Sequence, residues 1–499
     1  MGDQQLQQQP DVGRPVANFP MQAVMVIHGM GEQKPMDTIK SFVRAVWETA
    51  TDLTATGRNR TEVWSKPDVT TGSLELRRIT TRESIATQTF AEGVRTDFYE
   101  MYWADLSGGS TWNQVKSWIA GLLFRNPFTR VPRDVFLAWV VLWILALVLT
   151  VLAVATVLPA NASIGSWSPW NCWALRWLAH VPAWQLAAAT TALGWVTQLF
   201  VVPYFGRVVR YTRANPDNIS ARKNIRERGL ALLDELHKTR YGRIIVVGHS
   251  LGSILAYDLV AYLWARREES HSVTEGTPEF EALRELERAI AAVARNEASA
   301  IEAYRDAQTN FGRLLRMRPR PQPGETDTRW LITDLVTLGS PLGHAEFLLA
   351  NSAADFEKRK QDREFPTSPP LREELDPAAL AKAKAAGFPL DADKPRLIAF
   401  PFGAKHWQLR HATPFAAVRW TNIHDPARLV ILGDQLSGPV APAFGAGVLD
   451  VDLRALRGQS WRFTHTRYWT LTRNFATSLP RHVAELRAAL DLGGQRRKL

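Results

Sequence analysis

Cysteine is almost absent from this chain, since Cys172 is the only one among its 499 residues. A lone thiol excludes an intramolecular disulfide framework and a cysteine-rich zinc site. We therefore expect a fold stabilised by packing. The candidate residues discussed below require no metal and no other cofactor. The chain is also longer than the ~250 to 300 residues over which one hydrophobic core usually grows, which predicts a main domain with large insertions.

Charged residues are missing from two long apolar stretches, 135–158 and 183–205. Each is long enough to cross the ~30 Å of a bilayer core as a helix. Arginines flank the outer ends of the pair, so the positive-inside rule puts both long flanks in the cytoplasm. We predict a transmembrane hairpin within 125–206 and a multi-pass membrane protein. A buried core hairpin or an apolar lid over an active site is the alternative.

The formal net charge of +11 would suit nucleic acid, an anionic membrane surface or a merely solvated basic face. The placement of the cations favours the membrane, because a basic series follows directly after the second apolar stretch. Its members are Arg207, Arg210, Arg213, Arg222, Lys223, Arg226 and Arg228. We expect the lipid bilayer as a partner, and no nucleic acid.

The most informative motif is Gly248-His249-Ser250-Leu251-Gly252, which lies between an apolar run of strand length and a segment with helical spacing. A sharp turn from strand into helix holds a serine in a strained backbone conformation with its hydroxyl exposed. The flanking glycines leave no side chains to collide with neighbouring backbone. We predict that Ser250 is a nucleophile; an ordinary glycine-rich turn is the alternative.

Acyl transfer also requires N–H donors aimed at the developing oxyanion. One donor is expected from Leu251, directly after the serine, and the other from the loop after an earlier strand. His28-Gly29-Met30-Gly31 follows the first apolar run, so Met30 is the expected second donor and Gly29 the alternative. We expect His28 to be structural.

The general base and its orienting acid should follow the serine along the chain. His465 lies in FTHTRYW near the C-terminus, where a loop could bring its imidazole over Ser250. Three competing histidines lie before or within a strand-like segment, namely His406, His411 and His424. A fourth, His344, follows Gly339-Ser340-Pro341.

Two aspartates are candidates for the acid. Asp425 closely follows a strand-like segment, while Asp434 lies in GDQLSGPV, where glycine and proline predict a shielding turn. We choose Asp434 and keep Asp425 as the alternative. Asp450 and Asp452 are expected to be structural.

Together, VMVIHGMGEQ, IIVVGHSLGS, DLVTLGSPLGH, WTNIHDP with GDQLSGPV, and FTHTRYW resemble lipase-like serine hydrolases of the α/β-hydrolase superfamily. The resemblance implies a mostly parallel sheet flanked by helices and a cofactor-free acyl-serine mechanism. Esters and lipids are frequent substrates in that family. The chain departs from the common pattern by the inserted transmembrane hairpin and by a long helical insertion after the serine motif.

The predicted organisation has a hydrolase domain that is interrupted twice. It begins with a disordered tail (1–18), followed by the first part of the hydrolase domain (19–124) and the transmembrane hairpin (125–206). The part that carries Ser250 (207–270), a helical insertion (271–325), the C-terminal part (326–485) and a basic tail (486–499) follow. The first 18 residues lack the basic start and apolar core of a secretory signal.

The resulting hypothesis is a membrane-anchored serine hydrolase that cleaves carboxylic esters, with lipid or phospholipid esters as substrates. An acyl thioesterase or acyltransferase could use the same triad, because only the leaving group or acceptor differs. A catalytically inactive membrane scaffold is the non-enzymatic alternative. Head group, acyl length, regiochemistry, oligomeric state and physiological role stay open, because fold and motif do not fix substrate.

Overall fold

A computed structural model describes the residues outside the predicted N-terminal tail and most of the predicted hairpin. The described ranges are 20–29, 34–54, 62–68, 75–87, 89–107, 216–391, 394–426, 433–434, 436–455, 464–472 and 479–494, with isolated positions at 70, 124 and 211 and between 136 and 191. The predicted disordered tail lies outside the described residues.

Strands in the described ranges form one large sheet and two small ones. They are β1 (Met21–Ile27), β2 (Val63–Pro67), β3 (Arg77–Glu83), β4 (Arg95–Met101), β5 (Arg243–His249), β6 (Ser272–Thr274), β7 (Ile332–Leu338), β8 (Glu373–Glu374), β9 (Arg396–Leu397), β10 (Ala399–Phe402), β11 (His406–Leu409), β12 (Arg419–His424) and β13 (Leu449–Asp452).

The large sheet has eight strands in the order β13-β12-β7-β5-β1-β4-β3-β2. Neighbours from β13 to β4 pair in parallel, whereas β3 pairs antiparallel with β4 and with β2. The sheet confirms the predicted α/β class with a mostly parallel core.

Helices cover both faces of this sheet. They are α1 (Asp37–Val43), which a π-helical turn (Arg44–Glu48) extends, α2 (Pro216–Lys238), α3 (Leu251–Arg266), α4 (Pro278–Ala294), α5 (Ala300–Arg316), α6 (Ala345–Leu349), α7 (Ala353–Gln361), α8 (Pro377–Ala385), α9 (Ala441–Phe444) and α10 (Arg481–Leu490).

The central strands β1, β5 and β7 are buried along their whole length because helices cover both faces of the sheet. In β1, Met25 and Ile27 belong to the core that contains buried residues of α2 and α3. Val24 and Val26 belong to the core on the opposite face, with residues of α1 and α10. The alternation of side chains along a strand produces this division.

The middle of the sheet is the place where the strand order reverses. After β1 the chain builds β2, β3 and β4 on one side, and from β5 onward it adds β7, β12 and β13 on the other. Ile27 pairs with Gly248, so β1 and β5 end side by side. Such a reversal opens a crevice at the carboxyl ends of the strands, where ligands of open α/β sheets bind.

The predicted helical insertion (271–325) forms α4 and α5, joined by residues 295–299. Both helices pack on the sheet, because their apolar side chains are buried in the main core: Leu283, Leu286, Tyr304 and Phe311. The basic tail predicted from residue 486 begins inside α10, and Leu486 and Leu490 are buried. Helix α10 therefore extends across the predicted boundary and covers one face of the sheet.

Most of the predicted hairpin (125–206) and of its spans (135–158 and 183–205) lies outside the described residues. Within the ranges that the structure does describe, no helix combines the length and apolar character needed to span a bilayer. Isolated helical positions in the first stretch carry exposed apolar side chains, namely Phe136, Ile144, Leu147 and Val148.

One buried carboxyl in the insertion gives the fold a pH dependence. Glu287 on α4 accepts a hydrogen bond from the backbone N–H of Ile398 at 2.7 Å. Burial raises the pKa of Glu287 to about 8, against the lowering effects of that hydrogen bond and of nearby Arg372. The folded state therefore keeps the proton that the unfolded chain releases above its ordinary pKa, and stability falls as the pH rises toward 8.

Glu287→Gln should remove this dependence, because an amide keeps an acceptor oxygen and cannot ionise. We expect the variant to unfold at a temperature several degrees above wild type at pH 8 to 9. The difference should shrink as the pH falls toward 4.5. Thermal unfolding of both proteins across this pH range measures the effect, with exposed Glu285→Gln on the same helix as control. A constant difference at all pH values would contradict the assignment.

Candidate active site

The turn that carries Ser250 connects β5 directly to α3. Ser250 has φ 54° and ψ −129°, a conformation that costs a side-chain-bearing residue about 1 to 3 kcal/mol. A Cβ on Gly248 would lie 2.5 Å from Ser253 Cα, and one on Gly252 would lie 2.4 Å from the carbonyl oxygen of His28. Both glycines of the motif are therefore required by close backbone contacts.

Ser250 meets His465 across a long sequence separation. The Ser250 hydroxyl donates to His465 Nε2 at 2.8 Å, and both side chains are buried. His465 lies in the described segment 464–472, which is joined to the preceding turn by a hydrogen bond from the N–H of Thr464 to the carbonyl of Gly433. The C-terminal segment thus brings an imidazole to the end of β5.

Asp434 is the carboxylate that lies behind this imidazole. His465 Nδ1–H donates to Asp434 Oδ1 at 2.9 Å, which fixes Nε2 as the acceptor for the serine. Asp425 contributes its backbone instead, since its carbonyl accepts from the Asp434 N–H at 2.8 Å. The structure therefore joins Ser250, His465 and Asp434 in one relay, and the alternative Asp425 supports the turn beneath the acid.

The Asp434 carboxylate is held by three donors. Besides His465, the Tyr468 hydroxyl donates to Oδ2 at 2.7 Å, and the Leu436 N–H donates to Oδ1 at 2.9 Å. Burial alone would raise the pKa of Asp434, but the hydrogen bonds and the charge of His465 outweigh it and lower that pKa. An ionised acid in this place orients the histidine and stabilises its protonated form.

His249, the residue before the serine, anchors the histidine-bearing loop. Its Nε2–H donates to the backbone carbonyl of His465 at 2.7 Å. Its ring also lies against those of His465, Tyr468 and Trp469. Burial, followed by the nearby charge of His465, lowers the pKa of His249 to about 3, so this imidazole is neutral and serves as a fixed donor.

The residues expected to donate N–H groups to an oxyanion lie only in part within the described ranges. Leu251 is the first residue of α3, where a helix leaves its N–H groups without intrahelical acceptors. Met30 lies outside the described residues. Its alternative, Gly29, lies so close that a Cβ there would be 2.7 Å from Ser250 Cβ. His28 Nδ1–H donates to the carbonyl of Gly29. Its Nε2 and its carbonyl accept from the backbone and indole N–H groups of Trp103, on whose ring it stacks, which agrees with a structural role.

Besides His249, two residues of the site were not among the predicted ones. Tyr468 binds the acid, and Gly339, with φ 57°, makes room for it, since a Cβ there would lie 2.8 Å from Asp434 Oδ2. Tyr468 was visible in the sequence only as the residue three places after His465. Gly339 lay in the motif DLVTLGSPLGH, and nothing in its sequence context indicated a contact with a distant carboxylate.

Replacing Asp434 by Asn should lower kcat by roughly 10⁴-fold, because an amide favours the wrong histidine tautomer. Asp425→Asn is the matched control and should leave kcat little changed. Ester hydrolysis by the two purified variants measures the difference. A large loss in Asp425→Asn with near-normal Asp434→Asn would transfer the acid role to Asp425.

Tyr468→Phe should lower kcat/KM by about 10-fold, because a charge-assisted hydrogen bond to the acid is lost. Loss of this donor raises the pKa of Asp434, so the acidic limb of the pH profile should move to higher pH. The pH dependence of kcat/KM, with Tyr262→Phe as control, measures the shift. A lower unfolding temperature with an unchanged profile would mean that Tyr468 is structural only.

The functional conclusion rests on the geometry of the site, because known proteins offer no match. No family model matches this chain, no curated protein matches it, and neither does any solved structure. Among the described residues, a serine donates a hydrogen bond to a histidine, and this histidine donates one to an ionised aspartate, at the carboxyl ends of parallel strands.

Proposed function

We propose that the protein is a membrane-anchored serine hydrolase of the α/β-hydrolase type that cleaves carboxylic esters. One observation carries the proposal, namely the continuous relay from Ser250 Oγ through His465 to Asp434 at 2.8 and 2.9 Å. The order of the three residues along the chain, Ser, Asp, His, is also that of the α/β-hydrolase triad.

The first half of the reaction forms an acyl-serine. His465 Nε2 takes the hydroxyl proton as Ser250 Oγ attacks the ester carbonyl, and Asp434 stabilises the resulting imidazolium. N–H groups of Leu251 and of the loop after β1, with Met30 or Gly29 as donor, hold the oxyanion. The imidazolium then gives its proton to the leaving alcohol as the carbon–oxygen bond breaks.

The second half releases the acid. Water gives a proton to His465 and attacks the acyl carbon, and the proton returns to Ser250 as the acyl–serine bond breaks. The buried positions of Ser250 and His465 support this scheme, because hydrogen bonds to developing charge act more strongly where water is excluded.

The proposed substrate class is a lipid or phospholipid ester. Two uncharged stretches, 135–158 and 183–205, are long enough for bilayer spans, and they interrupt the chain between β4 and the part that carries Ser250. Under the positive-inside rule the hydrolase domain would lie on the cytoplasmic face. An enzyme tethered there meets ester lipids at high local concentration.

The two remaining hypotheses make different demands on the same site. A thioesterase or acyltransferase needs the same triad and differs in leaving group or acceptor. A catalytically inactive scaffold has no need for an ionised aspartate, a histidine and a strained serine in hydrogen-bond contact. The relay therefore favours an enzyme over a scaffold.

A fluorophosphonate probe tests the nucleophile directly. Wild type should be labelled and Ser250→Ala should not, because the probe reacts only with an activated serine. Ser65→Ala, at an exposed position of β2, is the control and should be labelled like wild type. Equal labelling of wild type and Ser250→Ala would remove Ser250 as the nucleophile.

The same variants identify the substrate. Lipid extracts of membranes exposed to wild type or Ser250→Ala protein should differ in one ester class and in the free acid released from it. Parallel assays with thioesters and with alcohol acceptors assign the reaction to hydrolysis, thioester cleavage or acyl transfer.

A further inference from the structure

A cavity of about 650 Å³ lies along the outer side of α3, away from the sheet. It begins at Ile254, one turn after Ser250, and continues to Ala265 near the end of the helix. Its size falls within the roughly 300 to 1,000 Å³ of small-molecule sites. Four arginines line it, and we call it the arginine cavity: Arg222, Arg226, Arg359 and Arg363.

Three of these arginines have carboxylate partners within the protein. The pairs are Arg226 with Asp258 at 2.7 Å, Arg359 with Glu364 at 2.6 Å and Arg363 with Glu373 at 3.0 Å. Among the residues that the structure describes, Arg222 has no ion-pair partner, and its Nε is buried without an acceptor. The cavity therefore contains one guanidinium that has no ion-pair partner among the described residues.

The surroundings of Arg222 are unfavourable for a lone cation. Burial and then the neighbouring charge of Arg226 lower the pKa of Arg222, and the opposing effect of the Asp258 carboxylate does not outweigh them. An unpaired charge in such a place destabilises a protein unless something compensates it. An anion from outside the chain would supply that compensation.

The cationic face is held rigidly. Asp258 Oδ2 accepts from the Tyr211 hydroxyl and from Arg226, each at 2.7 Å. The Tyr211 ring then lies 5.9 Å from the Arg222 guanidinium and 5.5 Å from that of Arg226. Two guanidinium groups thus lie within 6 Å of one tyrosine ring, and neighbouring guanidinium groups favour binding of phosphate oxygens.

The described members of the basic series after the second apolar stretch differ in whether they have a carboxylate partner. Lys223 pairs with Glu227, Arg226 with Asp258, and Arg228 with Asp105. Arg222 alone among the members whose side chains are described faces the cavity without a carboxylate. Tyr211, which lines the cavity, follows the end of the apolar stretch 183–205 by only six residues in the sequence.

We propose that the arginine cavity binds the phosphate group of an anionic lipid, with Arg222 as its main anchor. The lipid source rests on the proposed membrane attachment, whereas the phosphate chemistry rests on the cavity alone. The site is separate from the triad, and its occupant would sit against the helix that begins at the nucleophile.

Calorimetric titration of full-length protein in neutral detergent micelles tests the proposal. A Ser250→Ala background prevents turnover, so the result does not depend on the proposed catalysis. Dihexanoyl phosphatidylglycerol should bind, and Arg222→Gln should weaken that binding by about 10-fold or more. Lys223→Gln, the exposed neighbour on α2, is the matched control and should bind like the background protein.

Two further ligands separate the sources of the phosphate. Dihexanoylglycerol, which lacks the phosphate, should not bind in an Arg222-dependent way. Inorganic phosphate that binds as tightly as the lipid, with the same loss in Arg222→Gln, would support the anion site and overturn the lipid source.

Thermal unfolding shows whether Arg222→Gln has a folding defect. Without ligand, Arg222→Gln should unfold no lower than its background, because it removes a charge that has no ion-pair partner among the described residues. Phosphatidylglycerol should raise the unfolding temperature of the background protein and leave that of Arg222→Gln unchanged. Equal affinity of the two proteins for phosphatidylglycerol would overturn the proposal.

Discussion

The left-handed backbone of Ser250 is the constraint on which the rest of the site depends. It is tolerated because Gly248 and Gly252 allow backbone contacts that no Cβ could occupy. It is held because the Ser250 N–H donates to the carbonyl of Leu338 on β7 and its carbonyl accepts from Ser253. The strain is thus balanced by contacts with the neighbouring strand and with the first turn of α3.

Three other residues of the site come from segments distant from Ser250 in sequence and lie beside this turn at the carboxyl ends of the parallel strands. The loop after β1 supplies Gly29, the turn after β12 supplies Asp434, and the C-terminal segment supplies His465. His249 connects the turn to the last of these through a hydrogen bond to the His465 backbone. Parallel strands make the meeting possible, because their carboxyl ends share an edge.

Helix α3 contributes to both the triad region and the arginine cavity. Its inner face is buried against the sheet by Leu255 and Leu259, and its first residue follows Ser250. Its outer face carries Asp258, which holds Arg226 and Tyr211 in the arginine cavity. A ligand in that cavity would contact the same rigid element that presents Ser250.

The sequence by itself determined the α/β class, the strand-turn-helix around Ser250 and the helical insertion, because periodicity and glycine spacing reflect contacts between near neighbours. The choice of Asp434 over Asp425 depended on a turn motif, and only the tertiary structure showed which carboxylate reaches His465. The roles of Tyr468 and His249, and the unpaired state of Arg222 among the described residues, were also decided only there. Such contacts depend on the directions of side chains from segments that lie 31 to 216 residues apart, which no local pattern encodes.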